Sequence, residues 1–372
     1  MSLTGSERFR QERNRPIAAG LGGPALATGV LLWVAGCIPP PGRGLLAGEE
    51  LAAFRAAAVK TLQEAAVGDD PPLCMNAIEA LAEVAPREGL PFIAANIENE
   101  YPGASFAALM ALGQIQNADY LDRIRTRAED SNPHVRIAAL YALHRLGDRQ
   151  RTTELADFLL NHRDARVRAN AALAIGRLGE PSSVRVLQRA LRHEQKDLPR
   201  LQILEALAMM GNKDAIERLI FNGHSAYPDQ AASAIMFLAN ARSQEAEDLF
   251  RYRLGIREHP EARLQAARGL GRIGDETGLD IAIAYLWFNS PTTGQAGDPP
   301  EQQIRRVRGL AALALEAIGN PEALRSLKAA FELEGQQPYV RLAIARAALA
   351  LMNRVPDRRQ DLSPEAAAAE RN

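Results

Sequence analysis

The residues of greatest chemical potential in this 372-residue chain are two cysteines, six histidines, a glycine hexad and a recurrent set of arginines. The hexad, Gly269-Leu270-Gly271-Arg272-Ile273-Gly274, matches G-x-G-x-x-G. A phosphate cradle of that kind needs a strand before it and a helix opening at it. Here the match lies inside a helical apolar period with no strand pattern ahead, so it is rejected as a nucleotide site. The histidines, His134, His144, His162, His193, His224 and His259, show no pairing at metal-ligand spacing, and there is no C-x-x-C. No G-x-S-x-G nucleophile elbow occurs. The sequence therefore offers no catalytic residue, no metal site and no cofactor site. The net charge of −1 gives no field that would draw nucleic acid.

Cys37 stands apart. Arg8, Arg10, Arg13 and Arg15 precede a stretch from Ile17 to Gly42 that carries no charge, and within it Val34-Ala35-Gly36 leads into Cys37. A basic segment, an apolar segment and small residues before a cleavage point have the form of a secretory signal. The tetrad resembles the lipobox of bacterial lipoproteins, with Val34 where leucine is commonest. The resemblance implies cleavage before Cys37 and a thioether-linked diacylglyceryl group on its sulfur. Two or more acyl chains anchor stably where one does not. Two other readings stay open: a retained membrane helix over 17–36, weakened by Gly20, Gly22, Gly23, Pro24 and Gly29, and a cysteine without a role. Pro39, Pro40 and Pro41 then favour extended geometry, as a tether would. Ile38, rather than Asp, implies the outer membrane over the inner by resemblance to enteric sorting. The expected location is the bacterial cell envelope, with the protein facing the periplasm or the surface. Cys74, in "PPLCMNAIEAL", reads as a small core residue.

The rest of the chain must position whatever binds, and it repeats. "VRIAALYALHRL" (135–146), "VRANAALAIGRL" (167–178) and "ARLQAARGLGRI" (262–273) are each followed by glycine and an acid. Weaker copies start at 199, 307 and 340, others without the arginine at 73 and 104, and a degenerate one at 228. The starts 73, 104, 135, 167 and 199 are 31 or 32 residues apart, a period that signals a solenoid. Apolar residues at window positions 1, 4, 5, 8, 9 and 12 mark one helical face. The following glycine suits a left-handed C-cap. A second amphipathic helix lies between windows, as in "TTELADFLLN" (152–161) and "SVRVLQRALRH" (183–193), with Pro181 and Pro321 opening two of them. Aromatics are only 5% of the chain, so the core must rest on small aliphatic residues.

The "VR…AA…AL…LG" windows resemble HEAT repeats, in particular the bacterial HEAT-like repeats related to those of phycobilisome lyases. The resemblance implies an all-α fold: an α-solenoid, a right-handed superhelix of helix pairs with the "VR" helices on the concave side. We expect an elongated array. The domain reading is a lipoprotein signal at 1–36, the lipidated cysteine and tether at 37–48, the solenoid at 49–352 with an insert loop at 289–303, and a polar tail at 353–372.

Arginines dominate the windows. The seven from 135 to 340 hold eleven, including Arg200, Arg268 and Arg346, against three acids, Glu205, Asp229 and Glu316. Arg136, Arg168, Arg263, Arg308 and Arg341 occupy position 2, where the resemblance implies a structural ladder onto neighbouring units. Arg145, Arg177 and Arg272 occupy position 11, near the negative end of the helix dipole, and are the candidate residues for an anionic partner. The function expected is a membrane-anchored scaffold for protein partners. The alternative is a binding module for an acidic polysaccharide or lipid headgroup on a basic concave face, and a lyase-like enzyme is a remote third. Two irregularities, the 289–303 insert and "FNGHSAYPDQ" (221–230), interrupt the array.

Overall fold

The computed structural model describes residues 42–291, 298–333 and 335–355. The lipobox, Cys37, the tether as far as Pro41 and the tail beyond Val355 lie outside them. Among the described residues there are eighteen α-helices and no strand. The odd-numbered series is α1 (Gly48–Ala66), α3 (Pro86–Ala94), α5 (Leu121–Arg127), α7 (Thr153–Asn161), α9 (Val184–His193), α11 (Lys213–Gly223), α13 (Glu247–Gly255), α15 (Leu279–Tyr285) and α17 (Leu324–Phe331). The even-numbered series is α2 (Pro71–Val84), α4 (Pro102–Ile115), α6 (Pro133–Arg145), α8 (Ala165–Leu178), α10 (Asp197–Met209), α12 (Pro228–Asn240), α14 (Pro260–Arg272), α16 (Pro300–Ile318) and α18 (Pro338–Met352). All nine repeat windows fall on even helices. Consecutive helices pair, and the fold is an α-solenoid.

Local signals explain the helix limits. Seven of the nine even helices open with proline at the first position, where its missing N–H costs nothing. α8 instead is capped by Asp164, whose carboxylate accepts from the Arg166 N–H at 2.8 Å. Its far end is Gly179, at φ 68°, a left-handed turn that costs glycine little.

Even helices pack along the next even helix, loosely only between α10 and α12, whereas odd helices touch one another sparingly. The even series is therefore the tightly packed inner wall and the odd series the looser outer layer. Ala139, Ala171 and Ala311 are fully buried on the inner wall, as their window position predicts. Gly271 shows how close the helices come: a Cβ there would lie 2.4 Å from the backbone nitrogen of Ile318 on α16. The middle glycine of the hexad is thus a helix-crossing point. Cys74 is buried, its thiol donating to the Ala66 carbonyl at 3.0 Å, and burial raises its pKa.

The array does not stay open. α18 packs against both α1 and α2, more heavily on α1, so the ninth helix pair meets the first. Phe54 of α1 and Phe331 of α17 bring their ring centroids to 5.3 Å. Tyr339 donates its hydroxyl to Asp70, the cap of α2, at 2.8 Å, and Asn353 donates to the Val84 carbonyl at 2.8 Å. Arg43 forms a forked pair with Asp280 at 2.7 and 2.8 Å, drawing the lead-in segment onto α15. The expectation of an elongated array is corrected for residues 43–355. The cause is curvature: small residues let inner helices approach closely while the outer layer is wedged apart, and the eight steps between nine pairs bring the ends together.

The insert expected as a loop over 289–303 is also shorter than that. α16 begins at Pro300, so 300–303 are helical, nearly two turns ahead of the 307 window. Pro300 supplies the start and Glu301 complements the helix dipole. Trp287 and Phe288, beside the insert, pack against the core.

Candidate functional site

The C-terminal halves of the inner helices carry a chain of polar side chains from α10 round to α2. Glu205 accepts from Asn240 Nδ2 at 2.6 Å and from Gln202. Asn240 Oδ1 accepts from Arg268 Nη2 at 2.8 Å. One turn on, Arg272 reaches Glu316 at 3.9 Å. Arg346 closes a fork on Glu316 at 2.8 and 3.1 Å, and its second amino group also donates to Glu83 of α2. The last link joins residues 263 apart in sequence and crosses the seam.

Burial governs the charge states. It pushes the Glu205 carboxyl up, against the lowering effect of Asn240, Gln202, Arg177 and Arg268. Burial and the neighbouring Arg272 bring Arg268 down to about 10. Burial also lowers Arg272, opposed by Glu316. At Arg346 burial acts in the same sense, but Glu316 and Glu83 outweigh it and the pKa is raised.

The three position-11 arginines meet different surroundings. Arg145 and Arg177 lie on the neighbouring helices α6 and α8, as their one-repeat spacing implies. Arg145 makes one long bond to the Gly113 carbonyl at 3.4 Å. Arg177 has no hydrogen-bond or ion-pair partner among the described residues. Arg272 is the member that faces an acid, and its Nε is buried without a partner. Glu205 and Asn240 fill the gap between Arg177 and Arg268. The line therefore alternates in sign from α10 to α2 and is basic only at α6 and α8.

The position-2 arginines reach outwards, to the odd helices and joins on either side of their own helix. Arg136 donates to Glu154 at 3.1 Å and lies over Phe158. Arg168 forks onto Glu194 at 2.6 and 2.9 Å and also donates to the His162 carbonyl. Arg263, Arg308 and Arg341 donate to the carbonyls of Leu254, Phe288 and Phe331. Arg263 also bonds the Tyr285 hydroxyl at 3.2 Å. Arg168 holds the Glu194 carboxyl below the usual carboxylate range.

A second surface lies where odd helices hand over to even ones. Val67, Tyr101, Leu198, Phe221, Tyr227 and Leu333 are large apolar residues exposed at those turns. Phe221 is 80% and Tyr227 71% exposed, within the "FNGHSAYPDQ" join. Tyr252 of α13 is 56% exposed and tilts against His224 at 5.5 Å. Arg253 fixes the join from below, donating to the carbonyls of Gly223 and Ser225 at 2.8 and 2.7 Å. No group of side chains among the described residues is arranged to hold a metal ion. No described helix is long and apolar enough to cross a membrane.

Sequence reasoning missed Glu83, Asn240 and the seam role of Arg346. The signal for part of this was present: Glu205 and Glu316 are two of the three acids in the arginine-rich windows.

Residues 90–162 and 152–222 match the family model for HEAT repeats. No curated protein matches the sequence. Human deoxyhypusine hydroxylase in complex with glycerol is similar at 18% identity, covering 82% of this chain and all of that one, with a TM-score of 0.32. An engineered protein is similar at 15% identity over 82% of this chain and 92% of its own, with a TM-score of 0.29. Kap121p is similar at 14% identity, covering 83% of this chain and 39% of its own, with a TM-score of 0.32. At these scores the likenesses carry no argument, and the fold rests on the chain's own helices. The stretch that resembles HEAT repeats, 90–222, lies within a longer run of helix pairs built on the same plan.

Proposed function

We propose that the protein is a non-enzymatic scaffold that binds protein partners through the rim where odd helices turn into even ones. The observation that carries this is the exposed aromatic group at 221–252. Phe221, Tyr227 and Tyr252 stand in water on a join that Arg253 holds rigid. Aromatic residues are enriched in protein interfaces, and exposed apolar groups of this size mark interaction sites. HEAT repeats serve widely as interaction scaffolds, which agrees with this reading. The test is photocrosslinking from position 227 in native membranes, compared with the Phe221→Ser/Tyr252→Ser variant. Partner capture should fall at least tenfold in the variant with no change in helix content. Unchanged capture would refute the rim as the interface.

Anchoring belongs to the same proposal. The Val34-Ala35-Gly36-Cys37 tetrad supports lipidation of Cys37 and an envelope location, outer membrane over inner. Mass spectrometry of the mature N-terminus tests it, and an unmodified Cys37 would overturn it.

A second reading, an anionic partner on the inner wall, is favoured at one place. Arg145 and Arg177 form no ion pair among the described residues, Arg177 acting on Glu205 only through space, while Arg272 is shared with Glu316. The Arg145→Gln/Arg177→Gln variant should lose salt-sensitive binding of heparin if this reading holds. Equal retention at all salt concentrations would remove it. The position-2 arginines are proposed as braces, not ligand contacts.

A further inference from the structure

The seam contains a groove of about 330 Å³ between α2, α16 and α18. That is near the lower limit for small-molecule sites, about 300–1,000 Å³. Its floor is Leu310, Leu313, Leu342 and Ala343. Leu310 and Leu313 stand partly open on the inner wall, whereas the equivalent positions of α14 are Gln265 and Arg268. Three arginines border the groove, and two are committed: Arg306 to Asp298 and Glu261, Arg346 to Glu316 and Glu83. The third, Arg305, lies 5.0 Å over the Tyr339 ring and meets no carboxylate among the described residues. Asn76 adds an amide from the α2 side.

We propose that this groove binds a single-chain anionic amphiphile: a carboxylate joined to an unbranched hydrocarbon chain. The argument is charge complementarity over an apolar floor. One uncommitted guanidinium, held by an aromatic face, is suited to a single carboxylate. The leucine floor takes the chain, and the volume leaves no room for a second. The occupant would touch α2 and α18 together, so it would also fasten the ring at its one non-covalent joint. This goes beyond the scaffold reading and does not depend on the rim or on Cys37.

Gly309 makes the test clean. It lines the groove, and a Cβ there would meet nothing within 4 Å. Gly309→Leu should therefore fill the site without disturbing the helix. The probe is decanoate below its aggregation range, followed by calorimetry and thermal melting of the full chain, with decanol as the uncharged control. Decanoate should bind and raise the melting temperature, and decanol should bind about tenfold more weakly or worse. Arg305→Gln should weaken decanoate to the level of decanol. Gly309→Leu should abolish binding while keeping or raising the melting temperature of the free protein. Absence of decanoate binding, equal binding of decanol, or indifference to both substitutions would overturn the proposal. So would displacement of decanoate at lower concentration by dihexanoyl phosphatidylglycerol or by a capped Leu-Leu-Glu peptide amide, since either identifies a different occupant.

Discussion

Two chemically identical substitutions on adjacent inner helices should have opposite signs. At Gly271 a new methyl would sit 2.4 Å from Ile318 N and 2.7 Å from the Ala317 carbonyl carbon. Ordinary carbon contacts lie at about 3.5–4.0 Å, so α14 and α16 would have to part by about 1 Å. Both offending atoms are backbone, so no rotamer change can relieve the clash. Overpacking of this kind costs about 1–3 kcal/mol. Against it stands the helix preference of alanine over glycine, about 1 kcal/mol. Gly271→Ala should therefore destabilise by up to about 2 kcal/mol. Gly309, mid-helix in α16, has no atom within 4 Å of the new methyl, so Gly309→Ala should stabilise by about 0.5–1 kcal/mol. Urea unfolding followed by circular dichroism measures both, with the slope checked for constancy because repeat arrays can lose cooperativity. Gly271→Ala as stabilising as Gly309→Ala would refute the close crossing of α14 and α16.

Ala171→Leu, at a fully buried inner position, should cost about 1–3 kcal/mol in the same assay, and an unchanged midpoint would contradict the packing. Arg168→Gln breaks a fork onto a buried carboxylate and should cost about 3 kcal/mol at pH 7. The folded pKa of Glu194 is depressed, so its contribution exists above the unfolded carboxylate pKa and is lost as pH falls through the folded value. The gap between wild type and Arg168→Gln should accordingly narrow in acid, and a constant gap would refute the pairing. Glu205 has the opposite sign: burial raises its folded pKa, so it loses stability as pH rises through that value. Glu205→Gln should gain on wild type from about pH 4 towards neutrality, and a pH-independent difference would show that the carboxyl is not desolvated.

What the sequence discloses follows from how far apart the partners are. The nine windows land on the nine even helices because a 3.6-residue apolar period is a local property. The G-x-G-x-x-G hexad is rejected on the same local ground, and Gly271 then proves to be a crossing point. The start of α16 was legible too, since the proline-at-first-position rule applied at Pro181 and Pro321 holds at Pro300. The alternation of charge along the inner wall was half legible. Arg145, Arg177 and Arg272 repeat at window position 11, but Arg268, Arg346 and Glu205 share position 7, and Glu316 and Asn240 enter at others. Closure left no local trace. Arg346 and Glu83, Tyr339 and Asp70, and Phe54 and Phe331 meet only after the curvature of nine pairs has accumulated. Exposure of Phe221 and Tyr227 likewise depends on which way a turn faces, which composition does not encode.

Closure is the claim on which the seam groove and the inner-wall chain both depend, and one distance tests it. Lys328 Nζ of α17 lies 3.4 Å from Glu50 Oε1 of α1. Spin labels at Glu50→Cys and Lys328→Cys, on a background lacking Cys37, report that separation by dipolar spectroscopy. The closed array predicts one distribution below about 25 Å. An open array would place the labels eight helix-packing steps apart, and at about 9 Å per step that is about 70 Å. A distribution centred beyond about 50 Å would contradict the closed solenoid.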